Sequence, residues 1–181
     1  MVLPITPMLH ADCADVFSFT WRQGKSAPTG IIAESDRYFM NAENASEPGV
    51  PDGYELLAVS PFNRLTGPFY GRQCEDGRNL FRVFIRNHHL NRGGGVHGGM
   101  LLNFCDIALG RAARWAIDGN ALSTVSLQCD FVSMARGDCW LEATSRVTRK
   151  TRALIFVAGE LHADDQLVMT ASGVWKVLGA R

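Results

Sequence analysis

Apolar residues recur at threes and fours from residue 100 onward, at Met100, Leu101, Phe104, Ile107, Ala108, Ala112 and Trp115. That spacing puts them on one broad face of an α-helix. The run is nearly continuous, so the helix is expected to be buried on most sides. Gly110 interrupts it at a cost of about 1 kcal/mol relative to alanine. A glycine so placed marks close approach of another backbone. Beyond the helix the period changes. Residues 122–134, 139–147, 153–162 and 167–177 read as strands. The breaks fall at Ala135-Arg136-Gly137-Asp138, at 148–152 and at Ala163-Asp164-Asp165. In the first run Leu127, Cys129 and Phe131 alternate with Ser126, Gln128 and Asp130, as in a half-buried strand.

Ahead of the helix, residues 69–74 and 79–86 predict a hairpin around Glu75-Asp76-Gly77. Phe81, Val83 and Ile85 make one face of its second strand apolar. Residues 55–59 read as a short helix or strand, and 61–68 as an irregular turn. Two strands, one helix and four antiparallel strands predict an α+β domain over residues 53–181, a meander closing over one helix. Residues 1–52 differ. They hold short apolar clusters, such as Val16-Phe17-Ser18-Phe19 and Tyr38-Phe39-Met40, between Pro, Gly, Ser and Asn. They read as an extension or linker without legible chemistry. Met40 leaves two readings of the residues before it, an extension or a misassigned start.

Composition narrows the function classes. The chain has 181 residues, a formal net charge of zero and 20% charged residues. Nothing marks a nucleic-acid binder or a polybasic membrane binder. The five cysteines, Cys13, Cys74, Cys105, Cys129 and Cys139, show no CxxC spacing. That argues against a disulfide framework or zinc ribbon and fits a reducing cytoplasm. His88, His89 and His97 make no recognisable metal spacing, so no metal is expected. No apolar stretch approaches membrane-span length. Residues 1–9 lack the basic start and apolar core of a secretory signal.

The candidate chemistry lies where the helix begins. Five glycines fall within residues 93–99. A helix N-terminus entered through glycines exposes backbone N–H groups to an anion or a polarised carbonyl oxygen. Gly98 and Gly99 are expected to point theirs outward. Neither the dinucleotide fingerprint nor a P-loop is present. Asp106 is unusual, a carboxylate in mid-helix between Cys105 and Ile107. It needs a partner or a chemical role, and Arg111 and Arg114 are local candidates to hold it. Gly98 and Asp106 are eight residues apart, about 12 Å along a helix. That is too far for both to touch one reacting carbon. If both act, they come from two antiparallel copies of the helix, a composite site on a two-fold axis.

Asn91 stands six residues before the His97-Gly98-Gly99 run, and Asp106 nine residues after His97. This loop-to-helix arrangement resembles the hotdog-fold acyl-CoA thioesterases of the phenylacetate-degradation and 4-hydroxybenzoyl-CoA type, over roughly residues 53 to 181. The resemblance implies a long central helix wrapped by a curved antiparallel sheet, paired into dimers and often tetramers. It implies hydrolysis of an acyl- or aryl-CoA thioester, with coenzyme A as part of the substrate and no separate cofactor. The Gly98 N–H, aided by Asn91, would form the oxyanion hole. Asp106 would act as general base or nucleophile. Thr124 matches a Ser or Thr of the family that holds the water or the carboxylate, with Ser123 and Ser126 as fallbacks. His97 would shape the loop and first helical turn. Gly99 would approach the substrate. Arg149, Lys150 and Arg152, beside Arg146, sit around a hairpin turn and either hold coenzyme A phosphates or form a solvated face. Phe62 and Leu65 would line an acyl pocket. Two other readings stand beside this one, a hydratase or dehydratase on the same fold and a non-catalytic acyl-CoA-binding module.

Overall fold

The structure, a computed structural model, describes residues 48–117 and 121–179. The part of the 1–52 extension up to residue 47, with Met40, lies outside the described residues. The expected helix is Gly98–Trp115 (α1). Met100, Leu101, Phe104, Cys105, Ile107, Ala108, Leu109, Ala112 and Ala113 are buried. Asn103, Asp106, Gly110, Arg111 and Arg114 are less buried and form a stripe along it.

Strands Glu55–Leu56 (β1), Phe69–Gln73 (β2) and Asn79–Phe84 (β3) precede α1. Leu122–Phe131 (β4), Trp140–Lys150 (β5), Leu154–Ala163 (β6) and Gln166–Val177 (β7) follow it. They form one antiparallel sheet in the order β1-β2-β3-β5-β6-β7-β4. The long helix packed against an antiparallel sheet is therefore as expected. Residues 55–59, read as a short helix or strand, supply the two-residue strand β1. One detail differs. β4 does not open the meander: it pairs with β7, at the far edge of the sheet. Alternation of side chains fixes which face a strand buries and is silent on its neighbour.

The sheet buries Phe69, Phe81, Val83, Leu141, Ile155, Val157, Leu161, Met169 and Trp175. Phe104 of α1 stacks on Phe69 with centroids 5.8 Å apart, and Trp115 on Phe81 at 5.1 Å. Burying one such side chain stabilises the fold by about 2 kcal/mol. A pair of them therefore outweighs the mid-helix glycine.

An extra residue in β4 decides which side chains of that strand face α1. Pairing with β7 shifts register between Thr124 and Ser126, so Val125 is a bulge. Leu122 and Thr124 face the helix before it, and Cys129, one residue out of phase, faces Cys105 of α1 after it, with sulfurs 3.8 Å apart. Unbroken alternation would have turned Thr124 outward with Ser126 and Gln128.

The start of α1 is closed locally. Asn91 Oδ1 accepts from the Gly93 and Gly95 N–H groups at 2.8 and 3.3 Å. Gly94 takes φ +79°, where a side chain would be strained. His97 is the N-cap. Its Nδ1 accepts from Gly99 N–H at 2.9 Å, and its carbonyl accepts from Met100 and Leu101. Losing an N-cap acceptor costs about 1 kcal/mol. His97→Ala is therefore expected to lower unfolding free energy by about that amount, read as an earlier urea midpoint at unchanged slope. An unshifted midpoint would exclude the cap.

His89 is 2% exposed, and its Nδ1 accepts from the Arg86 N–H. Burial first, then the neighbouring His88 and Arg86, lower its pKa from 6.5 to about 4. The folded state thus prefers neutral His89, while the unfolded chain takes up a proton near 6.5. Its contribution to stability is complete above about pH 6.5 and is lost as pH falls through about 4. Thermal midpoints measured across that window are expected to fall on acidification, and less steeply in His89→Gln. Equal slopes in both proteins would remove His89 as the cause.

Candidate active site

Asp106 and Thr124 meet across α1 and β4. The Thr124 hydroxyl donates to Asp106 Oδ1 at 3.0 Å. Both line a cavity of about 360 Å³ with Ala58, Val59, Ser60, Asn63, Gly110 and Trp175 among its walls. Neither Arg111 nor Arg114 holds the carboxylate. Arg111 lies five residues on, off the three- and four-residue spacing at which helix side chains meet, and donates to the Ala58 carbonyl instead. The Arg114 side chain, eight residues on, makes no hydrogen bond or ion pair among the described residues. Asp106 is a half-buried carboxylate oriented by one hydroxyl, its other oxygen without a protein partner among the described residues.

The N-terminal turn of α1 keeps one donor open. Gly99 N–H is taken by His97, while Met100 and Leu101 donate to the His97 carbonyl. Gly98 N–H has no partner among the described residues. The expectation that both glycines present free N–H groups thus holds for Gly98 alone, because the imidazole cap uses the other. Asn91 also differs from a freely aimed side chain. Its Oδ1 is committed to the loop, leaving Nδ2 as its donor. Phe131 of β4 packs over Gly98, 3.4 Å from where a Cβ would lie. Eight helical residues still separate Gly98 from Asp106, so one chain does not bring them together.

The remaining candidates scatter. Arg149, Lys150 and Arg152 are exposed near the other end of α1, where Lys150 donates to the Ala116 carbonyl. Phe62 and Leu65 sit on a short 3₁₀ helix, Phe62–Leu65, and are 64% and 72% exposed. Leu65 lines a second cavity of about 650 Å³ with Leu56, Leu57, Pro68, Arg86 and His88, and Phe62 lines neither. Burial raises the pKa of Cys105, which lies against Cys129. That makes it a poor nucleophile. Among the described residues no group of His, Cys, Asp and Glu is placed to hold a metal.

Some residues that line or brace this cavity were not singled out from sequence. Asn103 donates to the Thr66 hydroxyl at 2.7 Å, and with the Arg111–Ala58 bond it ties residues 58–66 over the helix as a wall. Trp175 supplies the opposite wall. It is the ring that meets Gly110, 3.1 Å from a Cβ there, where another backbone was expected. A signal for the helix residues existed. Asn103, Asp106, Gly110 and Arg114 repeat at threes and fours through an apolar run. Trp175 gave none, being one apolar strand residue among many.

Known proteins resemble this chain in sequence and fold. A model of the thioesterase superfamily matches residues 93–170. The candidate esterase PA0474 of Pseudomonas aeruginosa is 36% identical over 128 residues, covering 70% of this chain and 96% of that one. A phenylacetic acid degradation-related protein of Ralstonia eutropha superposes with a TM-score of 0.60 at 28% identity, covering 66% and 92%. A hypothetical thioesterase of Streptococcus pneumoniae, solved with coenzyme A, shares the fold with a TM-score of 0.56 at 20% identity, covering 62% and 88%. It has also been solved with a threonine and with an aspartate replaced by alanine. With its hotdog fold and these relatives, the chain belongs to the thioesterase superfamily.

Proposed function

We propose that this protein hydrolyses an acyl-CoA thioester in a composite site between two copies of the chain. The observation that carries the reading is the Thr124–Asp106 hydrogen bond inside a cavity, on the same helix that opens with an unpaired Gly98 N–H. In a two-fold dimer with antiparallel helices, the N-terminus of one α1 faces the middle of the other. The thioester oxygen then takes the Gly98 N–H of one protomer, with Asn91 Nδ2 beside it. Donors already in place stabilise the charge that builds on that oxygen. The partner subunit's Asp106 meets the carbonyl carbon.

Two routes fit this geometry. As general base, Asp106 takes a proton from water, whose oxygen adds to the carbonyl carbon. The intermediate collapses with loss of the coenzyme A thiolate. As nucleophile, Asp106 adds directly and the adduct expels the coenzyme A thiolate, leaving an acyl-aspartate anhydride that water then opens. Thr124 holds the carboxylate in either case. The Streptococcus relative supports coenzyme A as the leaving group, since it was solved with that molecule. Its two alanine variants concern the same residue types as Thr124 and Asp106. A binding module needs no oriented carboxylate in its cavity, which favours the enzyme over an acyl-CoA sensor.

The edge strand supports dimerisation. Among the described residues β4 pairs on one side only, through β7. Its bulged Val125 is 60% exposed, and Phe131, Val132 and Met134 are more than half exposed. An open edge flanked by apolar side chains favours strand-to-strand pairing with a second copy.

Thiol release from aryl-, short-chain and long-chain acyl-CoAs is expected in the wild type. Asp106→Ala should reduce it by about a hundredfold or more, and Thr124→Ala less, with both remaining dimers. Normal turnover in Asp106→Ala would refute the assignment. After a single turnover in oxygen-18 water, label in Asp106 indicates the nucleophile route, and absence of both the label and an acyl-enzyme trapped by rapid quench indicates the general-base route. Val125→Lys is expected to shift the protein to monomer by light scattering and to abolish turnover with it. An active monomer would overturn the composite site.

A further inference from the structure

The cavity does not end at Asp106. It continues along α1 over Gly110 to Arg111 and Arg114, with Trp175 as the facing wall. Asp106, Gly110 and Arg114 are spaced by four and line one stripe. Eight residues carry that stripe about 12 Å along the helix axis.

Donors collect at the far end. Trp175 is only 2% exposed, and its Nε1 is the ring atom nearest Gly110. That N–H has no acceptor among the described residues. Arg114 is exposed and has no acceptor or carboxylate among them either. Arg111 is half-buried, with one nitrogen given to Ala58. Burial and the charge of Arg114 lower its pKa, and Glu55 offsets this only in part. Two cations and an indole N–H thus line the cavity, and neither Arg114 nor the indole has an acceptor side chain among the described residues.

Resting on the thioesterase reading above, we propose that this end of the cavity is an anion subsite for the acyl group. The substrate class is an acyl-CoA whose chain ends in a carboxylate, bound by Arg114 with Arg111 behind it and passing under the Trp175 N–H. Allowing about 3 Å for contact at each end leaves roughly 6–9 Å between the thioester carbon and the distal carboxylate. At about 1.2 Å per bond of an extended chain, that is an acyl group of about six to eight carbons. Coenzyme A offers phosphates as an alternative anion. Thirteen bonds separate its sulfur from the nearest phosphorus, about 16 Å extended, which overshoots Arg114.

Suberyl-CoA and octanoyl-CoA are equal in length and differ by the terminal carboxylate, so they form the test pair. The wild type is expected to prefer suberyl-CoA by about tenfold or more in kcat/KM, the scale of one charge-assisted hydrogen bond. Arg114→Gln should erase that ratio, and Arg114→Lys should retain part of it. Calorimetric titration with suberate and with octanoate reads the subsite without turnover. Suberate should bind more tightly to the wild type, and the difference should vanish in Arg114→Gln. Equal handling of the pair in both assays overturns the subsite and leaves the thioesterase reading intact. So does an Arg114→Gln variant that loses affinity for free coenzyme A and raises KM equally for both thioesters, since the cations would then serve a phosphate. Suberate binding that depends on Arg114, without hydrolysis of any thioester, supports the subsite and counts against the thioesterase reading.

Discussion

Burial of one face of α1 against the sheet governs the remaining structure. Phe104, Ala108 and Leu109 have no exposed surface, and the rings of Phe104 and Trp115 stack on Phe69 and Phe81. Each large side chain buried this way contributes about 2 kcal/mol, so several together outweigh unfavourable helix residues that cost up to about 1 kcal/mol each. That asymmetry lets the helix carry Gly98, Gly99, Asp106 and Gly110 and still form. The same packing fixes its rotation. With the apolar face turned inward, the stripe of Asn103, Asp106, Gly110 and Arg114 is set facing the wall formed by residues 58–66 and the start of β4.

The bulge at Val125 is the second constraint. The strand has to present Thr124 to Asp106 and Cys129 to Cys105, positions of opposite parity. A regular strand turns one of them away. One inserted residue resolves the conflict and also pushes Val125 outward at the open edge. Orientation of the carboxylate and exposure of the apolar edge are therefore two results of one backbone irregularity. In the proposed mechanism this couples the dimer seam to the reacting groups, because the strand that orients Asp106 is also the strand free to pair.

The cavity is electrostatically polarised along the helix, with a carboxylate held by a hydroxyl at one end and two guanidinium groups beside an indole N–H at the other. The carboxylate end suits attack on a carbonyl carbon. The cationic end suits recognition of an anionic tail. Gly110 keeps the passage between them open, since a Cβ there would press on the Trp175 ring at 3.1 Å.

Much of this was readable in the chain. Threes and fours in the apolar residues define α1, and alternation defines the strands, because side-chain direction follows local backbone period. The glycine-rich entry, His97 and Asp106 stood out because residue type and spacing carry their chemistry. Sequence could not decide which of Ser123, Thr124 and Ser126 reaches Asp106, since one bulge reverses the parity of the strand. Nor could it give Trp175, β4 as the edge strand, or the capture of Gly99 N–H by the His97 ring. These depend on contacts between segments far apart in the chain, or on side-chain rotamers. Local periodicity determines what each element buries, and only the packed sheet and helix determine which neighbour it meets.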